Sequence, residues 1–287
     1  MSAMRRPGKV NDDTTLIDTG MGGRDGVTAV YLVRADRTCL IDAGAAAEAP
    51  HLVEMLRELD AFPPDVIVIT HPHWDHSQGI PLLRQEAEST GRTIEVVAAA
   101  EAIPLLADAH FNDDYGGAPY ASIHDVTPVV DGDIVELGGI TLRIHEVPGH
   151  CLGDIAVFDE EHGAIYVGDA IGYKLSHTLF LPPFVPPCWD YAAFLSSVEK
   201  LRRIDYETLC LAHFGAIGDA EAGDILDEAV VTCDKWWRWY DAHVDRLDGD
   251  LLAAVRTDLD PDLPDMEPVR NSLAWLATGY RQYMAGH

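Results

Sequence analysis

The stretch Thr70-His71-Pro72-His73-Trp74-Asp75-His76 constrains this chain most, because it places three histidines and an aspartate within six positions. It follows the apolar run Val66-Ile67-Val68-Ile69, which is bounded on its other side by Pro63-Pro64. A short β-branched run between such markers reads as a buried strand. The polar cluster therefore sits where a central strand ends and the chain turns outward. Imidazole nitrogens and carboxylate oxygens suit zinc and other first-row divalent ions. In extended backbone, residues 71 and 73 face the same side. Asp75 and His76, entering a turn or helix, can aim at a second point a few ångströms away.

The same pattern recurs later in the chain. Pro148-Gly149-His150 follows the run 141–147, Gly168-Asp169 follows 164–167, and Ala212-His213-Phe214-Gly215 follows 208–211. Each ligand-type residue ends an apolar run with glycine nearby, and glycine lets a backbone turn sharply or approach a ligand. Before the motif, strands are expected at 15–18, 27–33 and 38–42, with a hairpin turn at 34–37 and a helix at 48–59. After it come helices at 80–88 and 101–107 around a strand at 95–99. A second run of strands begins near Val126 and continues through 134–137, 140–147, 155–158 and 164–167. Two strand-rich halves, each followed by helices, predict a four-layer αββα sandwich of two mixed sheets rather than strict βαβ alternation.

This reading divides the chain into a flexible N-terminus (1–13), the sandwich (14–218) and a C-terminal helical extension (219–287). In the extension, Leu226, Val230, Cys233, Trp237, Tyr240, Val244 and Leu247 recur at helical spacing, with Trp236 and Trp239 on an adjoining face. A shorter helix at 251–259 precedes a final one marked by Val269, Leu273, Leu276, Tyr280 and Tyr283. Such an addition can cap a site, form a homodimer surface or pack on the sandwich, and its aromatic residues suit an interface.

The net charge of −28, with lysine only at Lys9, Lys174, Lys200 and Lys235, disfavours nucleic acid and anionic membranes as partners. Such an acidic surface suits a halophilic host, where salt screens repulsion. No apolar stretch approaches the roughly 20 residues of a membrane span. The polar first 13 residues lack the hydrophobic segment of a signal peptide, so a cytoplasmic location is expected. Cys39, Cys151, Cys188, Cys210 and Cys233 are scattered, without a C-x-x-C pair, as expected of buried thiols in a reducing compartment.

The motifs T-H-P-H-W-D-H at 70–76, P-G-H at 148–150, G-D at 168–169 and H-F-G at 213–215 resemble those of the metallo-β-lactamase-fold hydrolase superfamily, in order and spacing, over residues 14–218. The resemblance implies that His71, His73 and His150 hold one metal ion. It implies that Asp75, His76 and His213 hold a second, with Asp169 bridging. It further implies a binuclear hydrolase that uses a metal-bound hydroxide on a small ester, thioester, lactone or phosphoester. Zinc is the default metal, with iron or manganese also compatible. Asp75 and Asp169 are the candidate catalytic carboxylates, able to orient the water or accept its proton.

Similar proteins narrow the field. The commonest zinc β-lactamases carry cysteine where Asp169 stands, so antibiotic hydrolysis is not expected. Flavodiiron proteins carry glutamate where His73 stands, and glyoxalase II-like members commonly have glycine where Gln78 stands. The alternatives on the same fold are a di-iron oxygen-binding or oxygen-reducing protein and a mono-iron persulfide dioxygenase. No phosphate-binding glycine motif points to an organic cofactor. His110 and His124 lie in or beside a loop at 108–123 and are read as solvated. The proline- and aromatic-rich segment 172–190 is a candidate wall for a small-molecule pocket. His177, Tyr173 and Lys174 are its candidate substrate contacts.

Overall fold

The computed structural model describes residues 6–116, 119–176 and 179–286. Among them, seven strands form a first sheet, in spatial order β1 to β7. These are β1 (Gly8–Lys9), β2 (Thr14–Asp18), β3 (Ala29–Arg34), β4 (Thr38–Ile41), β5 (Val66–Ile69), β6 (Glu95–Ala99) and β7 (Val126–Val129). The second sheet has the order β13-β12-β11-β10-β9-β8. Its strands are β8 (Ile134–Glu136), β9 (Thr141–Glu146), β10 (Ile155–Asp159), β11 (Ala164–Tyr166), β12 (Thr208–Leu211) and β13 (Gly215–Gly218).

All four residues of β5 are buried, between parallel neighbours β4 and β6. A strand covered on both faces has no polar side to show, which explains its unbroken Val-Ile-Val-Ile run. In β9 and β10 the alternation is visible: Leu142, Ile144, Ile155 and Val157 enter the core between the sheets, whereas Ala156 faces the other way. The same apolar cluster continues into Leu52, Val53 and Leu56 of α1 (Ala49–Glu58) and Ile80 and Leu83 of α3 (Ile80–Ser89), which cover the first sheet from outside. Short α2 (Trp74–Ser77) precedes α3, and α4 (Ile103–Ala107) connects β6 towards β7. The outer face of the second sheet is covered by α5 (Tyr191–Leu201), α6 (Asp219–Ala242), α7 (Leu251–Asp258) and α8 (Glu267–Gly286). The helix–sheet–sheet–helix order matches the sandwich expected from sequence.

Three details differ from the sequence reading. Gly8 and Lys9 pair with Leu16 and Thr15, so part of the stretch expected to be flexible is an edge strand. β7 joins the first sheet, parallel to β6, rather than opening the second. Trp236 and Trp239 are buried in the chain's own core, while Trp237 is only partly covered. Trp236 and Trp239 thus pack within the chain, and the half-covered Trp237 is the α6 tryptophan left for a homodimer surface. Tyr240 Oη reinforces this by donating to the Leu273 carbonyl of α8 at 3.0 Å.

The two sheets are locked where the polar strand ends meet. Ile155 N donates to the Thr70 carbonyl (2.9 Å) and Ala29 N to the Ala212 carbonyl (2.8 Å). Tyr31 Oη donates to the Leu211 carbonyl at 2.7 Å. These bonds join the end of β5 to the start of β10, and β3 to the end of β12, at one edge of the sandwich. Among the described residues, no helix is long and apolar enough to cross a membrane.

Candidate metal centre

Seven side chains converge at that edge: His71, His73, Asp75 and His76 from the end of β5 and α2, and His150, Asp169 and His213 from the second sheet. Three sets each bring their ligand atoms within 4.8 Å of one another: His71, His73 and His150; His71, His76 and Asp169; Asp75, His76 and His213. His150 Nε2 lies 2.9 Å from His73 Nδ1 and 3.2 Å from His71 Nε2. Asp169 Oδ2 stands between the groups, 3.8 and 3.7 Å from the Nε2 atoms of His71 and His150 and 3.4 and 3.6 Å from those of His76 and His213. Asp75 Oδ2 meets His213 Nε2 at 3.2 Å.

The outer nitrogens decide what the inner ones can do. His150 Nδ1 donates to the Pro183 carbonyl (2.8 Å) and His213 Nδ1 to the Val27 carbonyl (2.6 Å). His76 Nδ1 donates to Asp42 Oδ2 at 2.9 Å. Thr70 Oγ1 gives its hydrogen to Asp42 and so accepts from His71 Nδ1 at 3.1 Å. Tyr115 Oη donates to the Pro186 carbonyl and so accepts from His73 Nε2 at 3.2 Å. In their neutral forms, all five imidazoles thus carry their proton on the outside and turn a bare lone pair inward. Lone pairs facing each other at 2.9–3.2 Å repel unless a cation lies between them. A tetrahedral ion with bonds of about 2.0–2.1 Å holds its nitrogens roughly 3.3 Å apart. His76 Nε2 and Asp169 Oδ1 are also buried without a hydrogen-bond partner. The donor set fits divalent cations.

The electrostatics agree. Burial, then repulsion from neighbouring imidazoles, holds His71 and His73 well below the usual histidine range. Burial also lowers His150, against the pull of Asp169. Burial opposes charging of His76 and His213 as well, but the carboxylates of Asp169 and Asp75 outweigh it and raise both. For Asp169, burial is outweighed by His213, His76 and His150, which hold the carboxyl below its usual range. The carboxylate-rich half of the site thus calls for positive charge, as a cation would supply.

Local backbone explains the glycines. Gly149 has φ +148°, and a Cβ there would lie 2.6 Å from the backbone of Phe194. Gly168 has φ +52°, and a Cβ would stand 2.6 Å from Thr70 Oγ1. Gly149 lets the chain close on α5 and Gly168 lets it close on Thr70 of the first sheet, delivering His150 and Asp169.

A cavity of about 620 Å³ opens onto His73, Asp75, Asp169 and His213. Tyr173 lines it, its ring 5.2 Å from that of His213. Lys174 is not among the described lining residues: its ammonium pairs with the half-exposed Glu228 of α6 and sits 5.1 Å over the Phe180 ring. His177 lies outside the described residues. His110 is exposed beside Asp113, and His124 is exposed. Gln78 has its amide committed to both polar groups of the Ala121 backbone, at 2.8 and 3.0 Å.

Sequence reasoning missed two residues. Asp42, buried at the end of β4, fixes His76 and Thr70; its strand-end position before Gly44 is the same signal that marked the other ligands. Tyr115 fixes His73 from the 108–123 loop, and no sequence signal distinguished it from other loop aromatics. α8 also enters the cavity wall, through Glu267, Pro268, Asn271, Ser272 and Trp275.

Fold and donor set together define a metal-binding protein with its site at the edge of an αββα sandwich. A family model of the metallo-beta-lactamase superfamily matches residues 22–213, and the chain belongs to that superfamily. It is 30% identical over 172 residues to an acyl-coenzyme A thioesterase, MBLAC2, of Gallus gallus, covering 50% of this chain and 57% of the relative. It is 30% identical over 183 residues to a hydroxyacylglutathione hydrolase of Rhodospirillum rubrum, covering 63% of this chain and 59% of the relative. The match thus spans less than two thirds of either relative's length. A metallo-beta-lactamase family protein of Thermus thermophilus shares the fold, with a TM-score of 0.60, 20% identity and coverage of 99% and 92% of the two chains. A flavo di-iron protein of Thermotoga maritima does so with a TM-score of 0.62 and 19% identity, over 82% of this chain and 64% of its own.

Proposed function

We propose that the chain is a binuclear metal-dependent hydrolase of a small ester, thioester, lactone or phosphoester. The observation that carries this reading is the set of five histidines whose outer nitrogens are all engaged, leaving five inward lone pairs beside two carboxylates. His71, His73 and His150 would hold one divalent ion and Asp75, His76 and His213 a second, with Asp169 between them. Zinc is the default, and iron or manganese suit the same donors. Such a pair would supply Lewis-acid chemistry, lowering the pKa of a bound water and polarising a carbonyl or phosphoryl oxygen. Seven donors exceed the four of a closed structural zinc site, which also favours a catalytic role.

The chain's own groups supply the rest. Asp75 and Asp169 both line the cavity, where their carboxylates can orient a water and hold its proton. Tyr173 presents its ring beside them, and the loop and α8 walls restrict bulk water. The hydrolase names of the matched relatives support this reading. The test is metal analysis of purified protein with an activity panel of esters, thioesters, lactones and phosphoesters. Two zinc ions and turnover, reduced at least 100-fold in Asp75→Asn, are expected. Two irons with a visible oxo-bridge band, or one iron with oxygen consumption, and no hydrolysis in either case, would overturn it.

A further inference from the structure

The cavity's walls differ sharply from its floor. Below are the acidic and imidazole groups of the metal centre; around them stand Trp74, Tyr115, Tyr120, Trp275, Leu175 and Val185. Polar groups in the walls are largely committed elsewhere. Gln78 is bonded to Ala121, Glu48 Oε1 accepts from Gly22 N at 3.0 Å, and Ser272 Oγ donates to the Pro268 carbonyl at 2.9 Å. Among the described lining residues, histidines aside, Arg24 is the one cation, and it shares the rim with Glu48 and Glu267. Sites that take phosphates or paired carboxylates gather several Arg or Lys donors. Here the rim carries more acid than base, on a chain of net charge −28, which repels anions at long range.

We propose that this cavity selects uncharged carboxylic esters and lactones with an apolar acyl chain, lodged between Trp74, Tyr115 and Trp275; the proposal rests on the hydrolase reading above. Trp275 sets the chain-length preference. Its ring packs edge-on against Tyr115 at 5.2 Å, and α8 places it in the cavity wall. The reaction adds water: its oxygen bonds to the acyl carbon, the acyl–oxygen bond breaks, and the alcohol departs with a proton from that water. An acid and an alcohol result, and no other reactant is needed. Thiol carriers that bring paired carboxylates or phosphates, such as glutathione or coenzyme A, find no matching cluster of cations, so their thioesters are poor substrates even though relatives are named for them.

The test compares p-nitrophenyl esters and γ-lactones of increasing acyl length with S-lactoylglutathione and an acyl-coenzyme A, using metal-loaded protein. Neutral esters or lactones should give kcat/KM at least 100-fold higher, rising with chain length. Trp275→Ala should lower kcat/KM for the octanoyl ester about 10-fold more than for the acetyl ester. A binding readout independent of turnover is tryptophan fluorescence of metal-free protein titrated with decan-2-one or with S-hexylglutathione. The neutral ketone should bind at least 10-fold tighter, and Trp275→Ala should abolish that advantage. Preference for either thiol-carrier thioester, or tighter binding of S-hexylglutathione, overturns the substrate class and leaves the hydrolase reading intact. Metal-loaded protein that hydrolyses none of the panel overturns both.

Discussion

Asp42→Asn isolates one buried carboxylate without changing its shape. Asp42 lies at φ +62°, a conformation that asparagine also tolerates, so backbone strain is not introduced. Its Oδ1 accepts the Thr70 N–H at 2.8 Å, and its Oδ2 accepts His76 Nδ1–H at 2.9 Å. An amide can satisfy only one of these donors, because its NH₂ must face the other. If the NH₂ faces Thr70, a buried backbone donor is orphaned at a cost of about 1–3 kcal/mol. If it faces His76, the imidazole must move its proton to Nε2, the atom that faces Asp75 and Asp169. Loss of such an outer partner typically costs about 10–100-fold in metal affinity, or about 1.4–2.7 kcal/mol. Metal-to-protein ratios across a graded chelator series, together with unfolding of the metal-free protein, separate the two outcomes. The second ion should leave at 10–100-fold lower chelator strength, or Tm should fall by roughly 2–4 °C for each kcal/mol lost. Two ions bound as tightly as in the parent protein, with an unchanged Tm, would refute the reasoning.

Tyr115→Phe removes the acceptor for His73 Nε2 while keeping the ring against Trp275; it should weaken the first ion about tenfold in the same chelator series and, with the His73 N–H and the Pro186 carbonyl left unpaired, lower the metal-free Tm by a few degrees. The Cys188 thiol is lowered to about 7, chiefly by its hydrogen bond with the Cys151 thiol and against the effect of burial, and it is only partly covered. Its thiolate fraction therefore rises as pH passes about 7. Iodoacetamide mapped by mass spectrometry should label Cys188 with that midpoint, while Cys39, Cys210 and Cys233, raised by burial, stay unmodified; a midpoint in the ordinary thiol range would count against it. Between 0.1 and 1 M salt the screening length falls from about 10 to 3 Å, so repulsion within a chain of net charge −28 weakens. Tm should rise by roughly 5 °C or more, since single surface ion pairs lost to the same screening contribute little; indifference to salt would remove the argument for a halophilic host.

Much of the architecture was legible because the strands leading to the ligands are short apolar runs that stop at polar residues. β5, β9, β11 and β12 each announce both a strand and its end, and the helices of the extension show their period plainly. What could not be read was which strand lies beside which. β7, Val-Thr-Pro-Val, carries no mark that sends it to the first sheet, because parallel pairing with β6 depends on a crossover rather than on its own residues. Asp42 reaches His76 only because Ile41 pairs with Val68, a register set by two strands more than twenty residues apart. Tyr115 owes its place to the Pro186 carbonyl and Trp275, neither near it in sequence. Lys174 illustrates the converse: a charged residue close to a ligand in sequence was claimed by Glu228 on a helix that sequence could not place against it.

The donors come from both sheets, and this orders events during synthesis. His71, His73, Asp75 and His76 leave the ribosome together, as an incomplete set that still lacks His150, Asp169 and His213. At about 5–20 residues per second, His150 follows His76 after roughly 4–15 s and His213 after roughly 7–27 s. Each candidate donor set draws on both halves of the chain, so none exists until the two sheets have closed on each other. The proposed metal binding is therefore coupled to completion of the fold.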